Sequence, residues 1–155
     1  LGRVDGLIHG AGVIADRLIP QKTPEDVDAV FAPKIGGLLA VLAAVDPGAL
    51  SHVGLFSSAA ARFGNPGQAD YAMANASLDA VAAAWRAQYP DAIVRAFNWA
   101  PWAGGMVDDT LAKLFRQRGI ALIPIAEGAG IFADFMLSDD PALASEILVG
   151  DPWEA

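Results

Sequence analysis

Four polar side chains in a largely apolar sequence have the types and spacing to deliver a proton to a carbonyl oxygen. Tyr71 and Asn75 stand four residues apart in Tyr71-Ala72-Met73-Ala74-Asn75. That is just over one helical turn, so in a helix the phenol and the amide project from one face. Ser58 closes the apolar run Val53-Gly54-Leu55-Phe56-Ser57-Ser58, which reads as a buried strand ending in hydroxyl residues. Lys34 lies upstream and adds an ammonium. Each has an ordinary explanation alone: a half-buried helix tyrosine, a solvated lysine, a polar strand end. Only the joint set of phenol, hydroxyl, ammonium and amide points to acid–base chemistry on a carbonyl.

The elements that must position this set can be read from periodicity. Val4-Asp5-Gly6-Leu7-Ile8-His9 is a short strand running into a turn at Gly10-Ala11-Gly12. A helix start follows at Thr23-Pro24-Glu25-Asp26: Thr23 can cap, Pro24 suits the first helical position, and two carboxylates sit at the positive end of the dipole. Val27, Val30, Phe31, Ile35, Leu38, Leu42 and Val45 recur at helical spacing until Asp46-Pro47-Gly48, with Pro33 predicting a kink beside Lys34. After the strand at 53–58, a second helix is expected from about Asp70 to Tyr89, a strand over Ile93–Trp99, and a polar, mobile helical flap between Met106 and Gly119. A further helix over Glu127–Leu137 and a strand at Ile147-Leu148-Val149 complete an alternation that predicts a parallel α/β fold.

Composition narrows the function classes. An apolar fraction of 54% against 18% charged residues describes a core-forming segment, one domain's worth or part of one. A net charge of −8 leaves no basic stripe for nucleic acid. Uninterrupted apolar stretches fall short of a membrane span, so no membrane partner is expected. The chain has no cysteine, which fits a cytoplasmic location. His9 and His52, the only histidines, are not in a metal-ligand spacing, and no metal is expected. Ser57 and Ser58 lack the Gly-x-Ser-x-Gly elbow of a hydrolase.

Five segments in order carry a resemblance: His9-Gly10-Ala11-Gly12-Val13, Phe31-Ala32-Pro33-Lys34-Ile35-Gly36-Gly37, Phe56-Ser57-Ser58-Ala59-Ala60, Gly67-Gln68-Ala69-Asp70-Tyr71-Ala72-Met73-Ala74-Asn75 and Asn98-Trp99-Ala100-Pro101-Trp102. The chain resembles the ketoreductase domain of polyketide synthases, a branch of the short-chain dehydrogenase/reductases. Trp102-Ala103-Gly104-Gly105-Met106 with Arg118-Gly119-Ile120 is most similar to reductases of iterative synthases, including the polyunsaturated-fatty-acid type. The resemblance implies a Rossmann-like parallel sheet with flanking helices and NADPH-dependent reduction of a 3-ketoacyl thioester tethered to an acyl carrier protein. It makes Tyr71 the general acid, Lys34 its cationic neighbour, Ser58 a donor to the substrate carbonyl and Asn75 the last member of the polar set. In most short-chain dehydrogenases the lysine follows the tyrosine and the asparagine lies on the earlier helix; here the two are exchanged. A cation near Tyr71 is expected to lower the pKa of its phenol.

The same resemblance implies cofactor contacts from His9, Gly10, Ala11, Gly12, Lys34, Tyr71, Pro101 and Trp102, and substrate or stereochemical control from Asp16, Phe63, Pro66 and Met106. Ile14-Ala15-Asp16 keeps the last aspartate of the Leu-Asp-Asp motif of B-type reductases; Pro66 matches a B-type proline, while Asp70 stands for asparagine and Phe63 for the A-type tryptophan. B-type is favoured. No Gly-x-Gly-x-x-Gly fingerprint opens a helix after a first strand, and Gly10-Ala11-Gly12 has the wrong spacing to replace it. Residues 1–155 are therefore expected to be the C-terminal, catalytic part of one ketoreductase domain, inactive alone. The N-terminal half of the fold is expected to lie outside this chain and, with the other synthase domains, is an expected partner. Two other readings stay open: a non-catalytic structural or docking half-domain, and a redox-neutral, epimerising relative using the same pocket.

Overall fold

The structure, a computed structural model, describes residues 3–151. Its sheet orders β1 (Gly6–His9), β2 (His52–Ser58), β3 (Ile93–Trp99) and β4 (Glu146–Val149) consecutively. Every pairing is parallel, with Gly6 opposite His52, His52 opposite Ile93 and Ala96 opposite Glu146. Parallel neighbours need crossover helices, and these cover both faces. The central strands β2 and β3 are accordingly near-continuous apolar runs, with Val53, Leu55 and Phe97 fully buried. β1 is an edge strand, and its Ile8 is 64% exposed.

The first crossover is one helical stretch in three parts: α1 (Pro24–Phe31), a π turn (Ala32–Gly36) and α2 (Gly37–Ala44). The expected start is present as a full capping box, the Thr23 hydroxyl accepting from the Asp26 amide and the Asp26 carboxylate accepting from the Thr23 amide. The expected kink at Pro33 takes the form of the π turn. Proline lacks an N–H and crowds the preceding turn, and one widened turn relieves both while the helix continues. The Gly37 amide closes it on the Ala32 carbonyl. The whole Pro24–Ala44 stretch, 21 residues, is long and apolar enough to cross a bilayer, which the shorter uninterrupted apolar runs did not suggest. It packs Val30 and Leu38 into the core, however, and buries Lys34 at the sheet. It is a helix of this α/β fold.

α3 (Ala60–Phe63) is a single turn after β2, and α4 (Ala69–Gln88) is the second crossover. Leu38, Leu78 and Trp85 form one core with Val53, Leu55 and Val94 on one sheet face. α6 (Ile125–Leu137) closes the other face, where Phe97, Trp99, Met136 and Ile147 pack together. Two glycines allow that second layer its close approach. A Cβ at Gly54 would lie 2.8 Å from Phe132 Cζ, and one at Gly128 2.6 Å from Trp102 Cη2. Between β3 and α6 lies α5 (Asp109–Gln117), the expected flap helix, which buries none of its residues.

Candidate active site

The C-terminal ends of the parallel strands open onto a cavity of about 1100 Å³. This is the position at which open α/β sheets bind ligands. Lys34, Ser58 and Tyr71 share one wall of it. Each arrives by a different route: Ser58 is the last residue of β2, Tyr71 lies in the first turn of α4, and Lys34 lies in the π turn. Asn75 does not line the cavity. It is fully buried one turn below Tyr71, its amide donating to the Tyr71 carbonyl at 2.8 Å. Asn75 Oδ1 is buried without a hydrogen-bond partner among the described residues.

The π turn does for Lys34 what a regular helix would not. It carries the side chain inward to 3% exposure. The backbone is held by His9, whose Nε2–H donates to the Lys34 carbonyl at 2.7 Å. Lys34 Nζ donates to the Phe56 carbonyl at 2.9 Å and stands 5.7 Å from the centre of the Tyr71 ring. Ser58 Oγ accepts from the Ala60 amide at 3.2 Å, leaving its own proton to donate.

Burial sets the charge states. Desolvation pushes the Lys34 ammonium down to about 8, with Asp79 opposing. Desolvation pushes the Tyr71 phenol up, Ser58 and Asn75 pull it down, and Asp16 adds to the rise. The expectation of a lowered phenol pKa is therefore corrected: burial outweighs the hydrogen bonds from Ser58 and Asn75 that would lower it. His9 is pushed down chiefly by burial, which favours its neutral form.

The remaining candidates divide. Gly10, Pro101 and Trp102 line the cavity, as do Asp16, Pro66 and Met106. His9, Ala11, Gly12 and Phe63 do not. Gly12 nevertheless backs the site closely, since a Cβ there would meet Lys34 Cε at 3.1 Å. The chain after Gly12 is irregular up to the short turn Ile19–Gln21, so the 10–12 segment opens no helix. The residues fit the reactive end of a dinucleotide: a cavity of suitable volume at the strand ends, a glycine at the mouth of β1 and a polar wall. They do not form a phosphate-binding helix start. Among the described residues no cluster of side chains is arranged to hold a metal ion.

Sequence reasoning missed three features. Behind Ser58, Asn98 Nδ2 donates to Ser57 Oγ and to Asp79 Oδ1, each at 2.8 Å, and Ser57 Oγ donates to the Asn75 carbonyl at 3.2 Å. Asp79 falls four residues after Asn75 on the buried stripe of α4, a signal that was available. Lys22 and Asp70 form an ion pair at 2.8 Å with side-chain exposures of 8% and 1%. Leu111, Leu114, Phe115 and Arg118, from α5 and its C-terminal end, also line the cavity.

The KR domain family matches residues 1–104. A polyunsaturated fatty acid synthase polypeptide of Thraustochytrium sp. is 43% identical over 150 residues, 97% of this chain and 5% of the relative. A 6-methylsalicylic acid synthase of Aspergillus niger is 43% identical over 104 residues, 67% of this chain and 6% of the relative. Among solved structures, PlmKR1, the ketoreductase from the first module of phoslactomycin biosynthesis in Streptomyces sp. HK803, superposes with a TM-score of 0.85 at 32% identity, over 97% of this chain and 34% of its own. A ketoreductase domain from the bacillaene assembly line gives 0.80 at 34% identity, over 96% of this chain and 36% of its own. The chain thus spans about a twentieth of these curated relatives and about a third of these solved chains. With a parallel sheet whose strand ends open onto a cavity lined by a lysine, a serine and a tyrosine, it belongs to the KR-domain family, the ketoreductases of polyketide and polyunsaturated fatty acid synthases.

Proposed function

We propose that this chain carries the proton-delivering side of an NADPH-dependent reduction of a 3-ketoacyl thioester, held on an acyl carrier protein, to the 3-hydroxyacyl form. The observation that carries the reading is the convergence of Lys34, Ser58 and Tyr71 on one wall of the cavity. When bound, the nicotinamide supplies a hydride to the carbonyl carbon. Ser58 donates a hydrogen bond to the ketone oxygen and supports its developing negative charge. Tyr71, held protonated by burial, gives its proton to that oxygen, so C=O becomes CH–OH and a phenolate remains. The Lys34 ammonium near the ring stabilises that phenolate. Asn75 fixes the first turn of α4, and with it the direction of the phenol, through its bond to the Tyr71 carbonyl.

The same cavity is also lined by the apolar Met106, Leu114 and Phe115, which suits an acyl chain. The phosphate end of the dinucleotide falls to residues outside this chain, which spans about a third of the solved ketoreductases it resembles. The test is Tyr71→Phe in the full-length protein containing this segment. Ketone-dependent oxidation of NADPH should fall by about 10²–10⁴-fold with folding unchanged. Turnover at the parent rate would sink the proposal.

A further inference from the structure

We propose that Lys22 and Asp70 form a buried latch that holds the 14–17 segment against the first turn of α4, and that this latch sets which face of the ketone meets the hydride. The inference rests on the reductase reading above. It makes both residues positioning residues, since neither lines the cavity.

The cavity wall beside Tyr71 is built from two segments far apart in sequence. One is irregular and carries Ile14 and Asp16; the other is the turn Asn65–Gln68 leading into α4, and all of Ile14, Asp16, Asn65, Pro66 and Gln68 line the cavity. Neither segment has secondary structure to fix it to the other. Lys22 bridges them. Its Nζ donates to the Ala15 carbonyl at 2.8 Å and pairs with Asp70 Oδ1 at 2.8 Å. That same oxygen accepts from the Tyr71 amide at 2.8 Å. One ammonium therefore connects the backbone between Ile14 and Asp16 to the backbone of the residue that delivers the proton.

Two outer contacts follow the same seam. The Arg17 amide donates to the Gly67 carbonyl at 3.0 Å, and Gln68 Nε2 donates to both Asp16 oxygens at 3.1 and 2.9 Å. The outer contacts are exposed to water, whereas the ion pair is not. Its geometry is also costly for simple stability. Asp70 Oδ2 is buried with no hydrogen-bond partner among the described residues, and a buried pair that leaves an oxygen unsatisfied gains little over an apolar replacement. Such a pair instead fixes one arrangement out of several, because sliding the segment past α4 must break one of the two charge-assisted bonds that Lys22 makes. A displaced 14–17 segment would move Asp16 and Ile14 across the face of the pocket beside Tyr71. The substrate could then present either ketone face.

The test compares Lys22→Met, Asp70→Asn and Lys22→Met/Asp70→Asn in the full-length protein. Asp70→Asn keeps an acceptor for Lys22 and the Tyr71 amide but strands the buried ammonium without its counter-charge, so it should weaken the latch in part and lower the enantiomer ratio less than the double variant does. Lys22→Met leaves a buried, unpaired carboxylate and is expected to fold poorly. The double variant removes that charge, should fold, and is the decisive one. With a soluble 3-ketoacyl thioester and NADPH, it should lower the ratio of major to minor 3-hydroxy enantiomer at least tenfold and raise KM more than it lowers kcat. In the ligand-free protein, hydrogen exchange at Arg17 should accelerate at least tenfold, while amides of β2 and β3 stay at parent rates. An unchanged enantiomer ratio in an active double variant overturns the specificity claim. Unchanged Arg17 exchange overturns the latch itself. A parent protein that reduces no ketone would defeat the reductase reading and with it the stereochemical claim, leaving the latch to be decided by exchange.

Discussion

The two walls of the cavity are built on opposite principles. The wall with Lys34, Ser58 and Tyr71 stands on buried elements anchored to backbone: Lys34 bonds Phe56 and Ser58 bonds Ala60, while behind them Asn75 holds the Tyr71 carbonyl and His9 the Lys34 carbonyl. The wall contributed by α5 is largely exposed, capped by Asp108 and lined by Leu111, Leu114 and Phe115, with no buried residue. Proton transfer needs atoms held within tenths of an ångström, and strand ends and a packed helix supply that. Apolar recognition of a flexible chain tolerates looser contact. The difference teaches where substitution should strike chemistry and where it should strike affinity.

Lys34→Met is the harshest blow to the polar wall. It should reduce kcat by about 10²–10⁴-fold, a range typical for loss of acid–base support. Its stability signature runs the other way. The unfolded lysine titrates near 10.5 and the folded one near 8, so between these values the unfolded state holds more protons. The folded parent therefore carries an unfavourable buried charge below pH 8 and gains stability as pH rises from 8 to 10.5. The gain is at most about 3 kcal/mol, at 1.36 kcal/mol per pKa unit. Denaturant midpoints across that window should rise for the parent and stay flatter for Lys34→Met. Equal slopes would mean the ammonium is not desolvated.

Gly128→Ala attacks the layer where α6 packs against Trp102, a residue that lines the cavity. The added methyl would meet Trp102 Cη2, Cζ3 and Cζ2 at 2.6 to 2.9 Å, and Trp102 is itself packed edge-on against Trp99 at 4.7 Å. Overpacking of this kind costs about 1–3 kcal/mol, partly offset by alanine's better helix propensity, worth about 1 kcal/mol. Chemical denaturation should show a net loss. Because Trp102 lines the cavity, KM should rise as well. Phe115→Ala, in the α5 part of the lining, should leave stability within about 0.5 kcal/mol and raise KM several-fold with kcat nearly unchanged. If Phe115→Ala instead lowered kcat as much as kcat/KM, α5 would belong to the chemistry and the contrast between the walls would fail.

The polar wall was largely legible in the sequence because its determinants are local. β3 is Ile93–Trp99 as periodicity placed it, β2 begins one residue earlier than read, and α4 is Ala69–Gln88 against an expected Asp70–Tyr89. The capping residues at 23–26 announced α1. What stayed hidden depends on packing. Proline predicts a disturbance at Pro33, but whether the helix kinks or widens is decided by what its carbonyls and the Lys34 side chain meet in the folded sheet. The sign of the Tyr71 shift was misjudged for the same reason: motifs show which charges are near, but not how much water has gone. Lys22 and Asp70 carry no periodic mark at all, and only the fold brings them together.

The smallest effect tests how far the polar wall extends behind its visible residues. Asp79 is buried, its carboxyl is pushed up by desolvation, and Ser57 and Asn98 pull it back down through hydrogen bonds. Its charge raises Lys34, partly offsetting the burial that lowers it. Asp79→Asn keeps an oxygen to accept from Asn98 Nδ2 and removes only the charge. The Lys34 ammonium should then lose its proton at lower pH. Because the rate needs that ammonium, kcat/KM is sustained below the Lys34 pKa and lost above it, so its alkaline limb, near 8 in the parent, should move toward acid. Activity at pH 6.5 to 7, where Lys34 stays charged in the parent, should change by less than about threefold. An alkaline limb that stays in place would confine the electrostatics of the site to the residues that line the cavity. One that moves joins Tyr71, Asn75 and Asp79, three positions on one helical face, into a single polar unit that tunes Lys34.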